Sequence, residues 1–346
     1  MCTTQPLISV IIPSYNRSEL IKETLDSVHS QSYQNWECII VDDGSTDGSQ
    51  EIITRYVMKD ELFRFFQRNR EPKGAPTCRN IGIEKSEGDY FIFLDSDDLL
   101  ADNCLENRIK NVYLNTNYDF WVFGTYVFYD KPGDSSDNWN LLHKDNDDLF
   151  RFILYDNPWG TGGPLWKKQT VQILKGYDES AYCWQDWEFH IRAIVNNFRY
   201  WKCNEDYHDL YYRKRALNLS DEKHHLIKLK SLINLFEKIE PIISNNRTDK
   251  KKIQSAIGNL YFKFLINLND KNAIELVLEF TGTKTYKRIF VTYERILLKI
   301  WMRKLTIQKF NYLKNIYIVN LLKLLNREKF SSKYDSTYCF SKNKMI

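Results

Sequence analysis

Phe91-Ile92-Phe93-Leu94-Asp95-Ser96-Asp97-Asp98 runs four apolar residues straight into three carboxylates. An apolar run this short reads as a buried strand. The acids that follow then stand at the carboxyl edge of a sheet, where open α/β sheets bind their ligands. Two carboxylates one residue apart offer hard oxygen ligands to a divalent cation, and a cation held at a strand tip suits a phosphate or diphosphate substrate. The same letters also suit a helix start, since Ser and Asp favour N-caps and first turns.

A second segment repeats the design. Cys38-Ile39-Ile40-Val41-Asp42-Asp43-Gly44-Ser45-Thr46-Asp47 ends a short apolar strand in paired acids, then enters a turn able to cap the next helix. An earlier apolar run, Leu7 to Ile12, ends at Pro13-Ser14-Tyr15-Asn16-Arg17. Three strands thus deliver polar residues to one edge.

Alternation of apolar runs with helical patterns predicts a mostly parallel sheet with right-handed crossovers. Strands are expected near 7–13, 36–41, 62–67, 89–94 and 119–128. Helices are expected near 18–30, 47–58, 76–86, 102–115, 147–156, 168–175 and 185–196, and a hairpin of 199–204 with 207–213 closes this part. The Asp/Asn/Ser-rich stretch 130–148 reads as a surface loop.

The chain has 346 residues, long for one compact domain, and its composition of 43% hydrophobic and 27% charged residues is that of a soluble globular protein. No apolar run approaches the roughly 18 residues of a membrane span. Met1 to Pro6 is polar and predicts no secretory leader. The seven cysteines include no Cys-x-x-Cys pair, which favours packing roles in a reducing cytoplasm over disulfides or zinc. The net charge of +4 conceals a division. Residues 1–220 hold 24 Lys and Arg against 34 Asp and Glu, a net −10; residues 221–346 hold 25 against 11, a net +14. An acidic α/β domain, 1–220, is therefore expected to precede a basic, mainly helical region, 221–346. The six histidines form no metal-type cluster, and neither a GxGxxG fingerprint nor a Walker A loop occurs, which argues against a dehydrogenase or a P-loop NTPase. Nothing calls for nucleic acid as a partner.

Six stretches, in order over about 190 residues, resemble glycosyltransferase family 2: Ile8 to Arg17 (ISVIIPSYNR), Val41 to Asp47 (VDDGSTD), Cys78 to Gly82 (CRNIG), Leu94 to Asp98 (LDSDD), Gly176 to Ser180 (GYDES) and Gln185 to Arg192 (QDWEFHIR). The resemblance covers roughly residues 5–220. It implies a GT-A fold and an inverting, metal-dependent enzyme that moves a sugar from a nucleotide-diphosphate sugar, a UDP-sugar foremost, to a hydroxyl of a glycan or lipid-linked saccharide. Bacterial surface polysaccharide synthesis, in the cytoplasm or on the cytoplasmic face of the inner membrane, is the implied setting.

The resemblance also distributes roles. Asp42 and Asp43 stand where the family reads the base, and a carboxylate can accept an imide or exocyclic amine proton; Asp43 equally suits a turn before Gly44. Pro13, Tyr15 and Arg17 line the same side, with Tyr15 available for stacking, although Arg17 also fits a solvated helix start. Arg79 is expected near the ribose or diphosphate, with a structural ion pair as the alternative. Asp95 and Asp97 form the Asp-x-Asp motif for Mg²⁺ or Mn²⁺, and Ser96 between them is counted with the donor contacts. Inversion needs a base on the acceptor side. Asp186 is the candidate: it holds the second position of what is often Glu-Asp, here with Gln185 in place of Glu, while Glu188 should point elsewhere on the helix. As the alternative, Asp186 would simply complement a helix dipole. Trp159 and Trp184 offer faces for sugars or are core, and Gly162 and Gly163 allow close approach of backbone to a sugar. Tyr212 to Ser220 resembles the family's last active-site segment. Arg213 and Arg215 would meet the diphosphate there, Arg215 standing where a His is usual.

Two other classes remain open, a phosphohydrolase built on strand-end aspartates and a nucleotide-sugar-binding protein without catalysis. The first leaves Val41 to Asp47 and Gln185 to Arg192 unexplained; the second fits poorly with an intact Asp-x-Asp and Asp186. In the basic region, Ile296 to Leu325 alternates apolar residues with Lys299, Arg303, Lys304, Lys309, Lys314 and Lys323 at helical spacing. That pattern suits an amphipathic helix on an anionic membrane surface, or an ordinary packed helix or dimer contact.

Overall fold

A computed structural model of the chain describes residues 5–214, apart from 145–146, 154–155 and 205, together with 230, 231, 234, 235, 237–239 and 241. Arg215, nearly all of the basic region 221–346 and the 296–325 segment lie outside the described residues.

The first half alternates strand and helix as the periodicity predicts. In order come β1 (Ile8–Ser14), α1 (Ile21–His29), β2 (Trp36–Asp42), α2 (Ser49–Lys59), β3 (Phe63–Gln67), α3 (Ala75–Lys85) and β4 (Tyr90–Phe93). β3, β2, β1 and β4 lie side by side and parallel, with Ser14 beside Asp42 in register and Ile11 beside Phe93. Every residue of β1 and β2 is buried, the pattern of strands covered on both faces. Packing is close enough to dictate residue size: a Cβ at Gly82 of α3 would fall 2.4 Å from Ile11 Cγ2. That explains a glycine inside a helix, where it otherwise costs about 1 kcal/mol relative to Ala.

The chain continues through β5 (Leu99–Leu100), α4 (Cys104–Leu114), β6 (Phe120–Val122), β7 (Gly124–Phe128), α5 (Asp148–Ile153), β8 (Pro164–Lys167), α6 (Lys168–Ile173), α7 (Gln185–Val195), β9 (Tyr200–Lys202) and β10 (His208–Arg213). The large sheet runs β3-β2-β1-β4-β8-β6-β9, with β8 antiparallel to both neighbours; β5-β10-β7 form a second, three-stranded sheet. Two expectations are corrected. The single strand expected at 119–128 divides at the buried Phe123 into β6 of the large sheet and β7 of the small one. The expected hairpin does not form, because β9 pairs with β6 while β10 pairs with β7 and β5. The two segments change sheets together, side by side. Gly124 marks the crossing, where a Cβ would lie 2.5 Å from the Tyr207 carbonyl oxygen.

β10 is held by a buried ion pair. Arg108 of α4 donates from Nε and Nη2 to the two oxygens of Asp209, at 2.8 and 2.6 Å, and from Nη1 to the Gly162 carbonyl at 2.9 Å.

Candidate active site

The carboxyl ends of β1, β2 and β4 bring Ser14, Asp42, Asp43 and the Asp95–Asp98 turn to one edge, as the strand readings require. Tertiary contacts then separate residues that face outward from residues that hold the edge together.

Asp42 is one of the holders. Its Oδ1 accepts from the amides of Gly44 and Ser45 at 3.0 and 2.7 Å and from Gln50 Nε2 at 2.9 Å; its Oδ2 accepts from Ser45 Oγ. A carboxylate has about four lone-pair sites, so this buried group shapes the turn and is not open to a base. Gly44, at φ +87°, supplies the left-handed step of that turn. Asp43, also buried, is less fully engaged. Its Oδ1 is pinned by Arg68 Nε at 2.5 Å and by the Gly74 amide at 3.3 Å, and its Oδ2 takes no hydrogen bond from the described residues. Nearby, Tyr15 is 43% exposed with Lys73 Nζ 3.6 Å from its ring centroid. Pro13 is buried in β1 beside Val41 and forms structure, not a contact surface.

At the tip of β4, the side chains of Asp95 and Asp97 are 35% and 21% exposed. Ser96 and Asp98 are buried. Arg17 approaches Asp97, with Nε 3.9 Å from Oδ2, and its Nη1 donates to the carbonyls of Tyr15 and Asn16. Burial, with the charges of Asp95 and Asp97 added, pushes the Asp98 carboxyl well above the usual carboxylate range, while the Arg213 amide and charge oppose the shift. Each acid of the turn has an arginine beside it: Arg79 at Asp95, Arg17 at Asp97 and Arg213 at Asp98.

Arg79 and Arg213, both expected at the donor, instead lie buried and brace the acids. Arg79 of α3 donates from Nη2 to Asp95 Oδ1 at 2.5 Å and from Nη1 to Gln185 Oε1 at 2.7 Å. Arg213 of β10 donates its amide to Asp98 Oδ1 at 3.0 Å, Nε to the Asp97 carbonyl at 3.0 Å, Nη1 to the Asp130 carbonyl at 3.3 Å and Nη2 to Glu23 at 2.5 Å. A guanidinium spent in three directions clamps the Asp95–Asp98 turn and has little left for a diphosphate.

Asp186 stands at the second position of α7, half-buried. Burial raises its pKa above the ordinary value; the Trp187 amide and the Arg79 charge oppose the rise, and the Asp95 charge adds to it. A carboxylate so tuned accepts a proton more readily than a surface acid. Glu188 turns away, as expected, and accepts from Arg192 at 2.6 and 2.9 Å. The turn before α7 is held from several sides. Asn80 exchanges hydrogen bonds with the Tyr177 backbone at 2.9 and 2.8 Å; Ser231 Oγ donates to the Cys183 carbonyl at 3.3 Å; Lys238 pairs with Asp178 at 2.5 Å. Leu235 and Ile239 are buried, so these positions beyond residue 220 pack within the same compact unit as the α/β fold.

Trp159 is corrected from sugar platform to core. It is 1% exposed and packs among Phe120, Phe152, His190 and Tyr200. Gly162 and Gly163 likewise admit protein, not sugar: a Cβ on Gly162 would lie 2.7 Å from Leu210 Cδ2, and one on Gly163 3.2 Å from the Phe123 carbonyl. Trp184, half-buried at φ +64°, stands at the N-cap of α7, two residues before Asp186. Tyr212 is a site residue the sequence left unassigned. Burial and then the charges of Asp98, Asp97, Asp95 and Asp186 push its hydroxyl to about 12, so it stands within the field of both acid groups, with Trp139 packed edge-on at 4.6 Å.

Among the described residues no set of three or more His, Cys, Asp or Glu side chains converges as a closed cage. Two outward carboxylates at a strand tip match instead the Mg²⁺-type arrangement, one or two acids completed by substrate phosphates and water. No described helix is long and apolar enough to cross a membrane.

Residues 9–166 match the glycosyl transferase family 2 profile. An uncharacterized glycosyltransferase of Haemophilus influenzae is 43% identical over 128 residues, 37% of this chain and 50% of that protein. The putative teichuronic acid biosynthesis glycosyltransferase TuaG of Bacillus subtilis is 43% identical over 110 residues, 32% of this chain and 43% of that protein. The match thus spans half or less of these curated relatives. Staphylococcus aureus TarS 1–349, solved with UDP-GlcNAc, superposes with a TM-score of 0.56 at 18% identity, over 81% of this chain and 77% of that one; the likeness extends to the fold. By sequence match over residues 9–166, by fold and by the acids gathered at its sheet edge, this chain resembles the glycosyl transferase family 2 enzymes of GT-A fold.

Proposed function

We propose that this protein is an inverting, divalent-cation-dependent glycosyltransferase that uses a UDP-sugar and acts on a hydroxyl of a glycan or lipid-linked saccharide. The observation that carries the reading is the gathering of two acid groups with different environments. Asp95 and Asp97 lie outward at the tip of β4, and Asp186, with a raised pKa, lies across from them, with Tyr212 in the field of both. Asp95 and Asp97 would hold Mg²⁺ or Mn²⁺. When bound, such a cation neutralises the diphosphate charge that grows as the sugar–phosphate bond breaks.

The chain's own residues supply the rest. Asp43 keeps a single oxygen without a hydrogen bond from the described residues, since Arg68 and the Gly74 amide hold the other. One acceptor suits the single imide N–H of uracil better than the paired donors of guanine. That S. aureus TarS was solved with UDP and with UDP-GlcNAc is in keeping with this choice. Tyr15 stacks on the base. Asp186 takes the proton of the attacking hydroxyl, a contribution of about 10² to 10⁴ in rate for a positioned base. Assembly of a bacterial surface polysaccharide is the setting we favour, with TuaG as a relative named for such a pathway, and 296–325 would meet an anionic membrane surface.

The test is UDP, GDP or dTDP release from a panel of nucleotide sugars, with Mn²⁺, with Mg²⁺ and with chelator. Cation-dependent release of UDP in preference to GDP supports the reading. Release indifferent to chelator, or no release from any donor, refutes it.

A further inference from the structure

The side chain that joins the two acid groups is neutral. Arg79 is 3% exposed and lies over the Tyr177 ring at 5.1 Å; two of its nitrogens reach Asp95 and Gln185, at 2.5 and 2.7 Å. Gln185 opens α7, immediately before Asp186, and follows Trp184, whose backbone is left-handed at φ +64°. A bulky residue holds that conformation only where its surroundings over-determine it. The Gln185–Arg79 bond supplies one such constraint, from the metal side of the site.

A Glu at 185 would claim the guanidinium as an ion-pair partner in competition with Asp95. Gln accepts the hydrogen bond without that charge. We propose that Gln185 is a positioning residue: through Arg79 it ties the start of α7, and so Asp186, to Asp95, and its neutrality reserves the guanidinium charge for Asp95. The inference rests on Asp95 as a cation ligand and Asp186 as the base. Among the described residues, the charged and titratable groups facing Asp186 are Arg79 of α3, Asp95 after β4, Tyr177 before α7 and Tyr212 of β10.

Gln185→Glu and Gln185→Ala in the full chain test it, with Mn²⁺ binding read by electron paramagnetic resonance in the presence of UDP. Gln185→Glu draws Arg79 away from Asp95 and should bind Mn²⁺ about fivefold tighter or more, the scale of one altered neighbouring charge. Gln185→Ala changes no charge and should bind Mn²⁺ within about twofold of the parent on the same reasoning. The kinetic arm measures UDP release. Gln185→Ala should lower kcat about tenfold or more with donor KM little changed, as a misplaced base does. Gln185→Glu keeps the hydrogen bond and should recover much of that kcat, with its acid limb moved to higher pH. Parent-like Mn²⁺ affinity in Gln185→Glu, or parent-like kcat in Gln185→Ala, overturns the proposal. Should Gln185→Ala not fold, the Mn²⁺ comparison with Gln185→Glu decides alone. A parent that releases UDP from no donor counts against the proposed activity, and the Mn²⁺ comparison still judges Gln185.

Discussion

Removing the Asp209 carboxylate should destabilise the catalytic domain more than any surface substitution in it. Arg108 and Asp209 are both fully buried, joined by two charge-assisted hydrogen bonds of 2.8 and 2.6 Å. In Asp209→Ala the guanidinium keeps the Gly162 carbonyl and loses its counter-charge. Breaking one side of a buried pair costs about 3–5 kcal/mol. For a domain of this size each kcal/mol lowers Tm by about 2–4 °C, so the expected fall is about 6–20 °C, measured by thermal melting at pH 7. The companion variant Arg108→Met/Asp209→Leu removes both charges and should melt above Asp209→Ala, since no unpaired ion remains. The pair also carries function, because β10 brings Tyr212 and Arg213 to the acid turn; donor KM should rise in Asp209→Ala at temperatures where it is still folded. A loss below about 1 kcal/mol, where an unpaired buried charge should cost several times that, would refute the reasoning. A double variant no more stable than the single would do the same.

Asp97→Asn should leave Tm nearly unchanged and remove most turnover, because an amide brings a neutral ligand to the cation; parent-like rates at saturating Mn²⁺ would exclude Asp97 from the metal site. Asp186→Asn should lose about 10² to 10⁴ in transfer while UDP affinity, read by calorimetry, stays within a few-fold; an equal loss in both assigns Asp186 to the donor. The pH dependence follows from sign. Asp186 acts when ionised and its pKa is raised, so kcat should fall as pH drops through a value above the ordinary 3.8 and stay level above it, and the limb should vanish in Asp186→Asn. Arg68→Ala should release the inner oxygen of Asp43 and narrow the preference for UDP over GDP in competition binding. A preference that is unchanged would detach base choice from that pair.

Short-range pattern carried much of this protein's architecture. Apolar runs ending in acids are self-contained signals: Leu7–Ile12, Cys38–Val41 and Phe91–Leu94 need no partner to read as buried strands, and the acids after each must then share one edge. The helical periods of α1 to α4 and α7 were legible for the same reason, as was the outward turn of Glu188 two positions past Asp186. Only the tertiary structure decided which charged side chain faces the ligand and which braces one that does. Arg79 and Arg213 look like ligand-binding cations in the chain, yet α3 and β10 bury them against Asp95, Gln185, Asp97 and Asp98. Arg68 acquires its role through the register of β3 beside β2, which brings its amide to the Asp42 carbonyl at 2.8 Å and its guanidinium to Asp43. Trp159 and the two glycines passed for a sugar-binding loop because composition cannot tell a close approach to a ligand from a close approach to Leu210 or Phe123. A side chain's chemistry is local, but whether that chemistry is spent on protein or left for a substrate depends on contacts made across a hundred residues. Arg79 meeting Gln185 is one such contact.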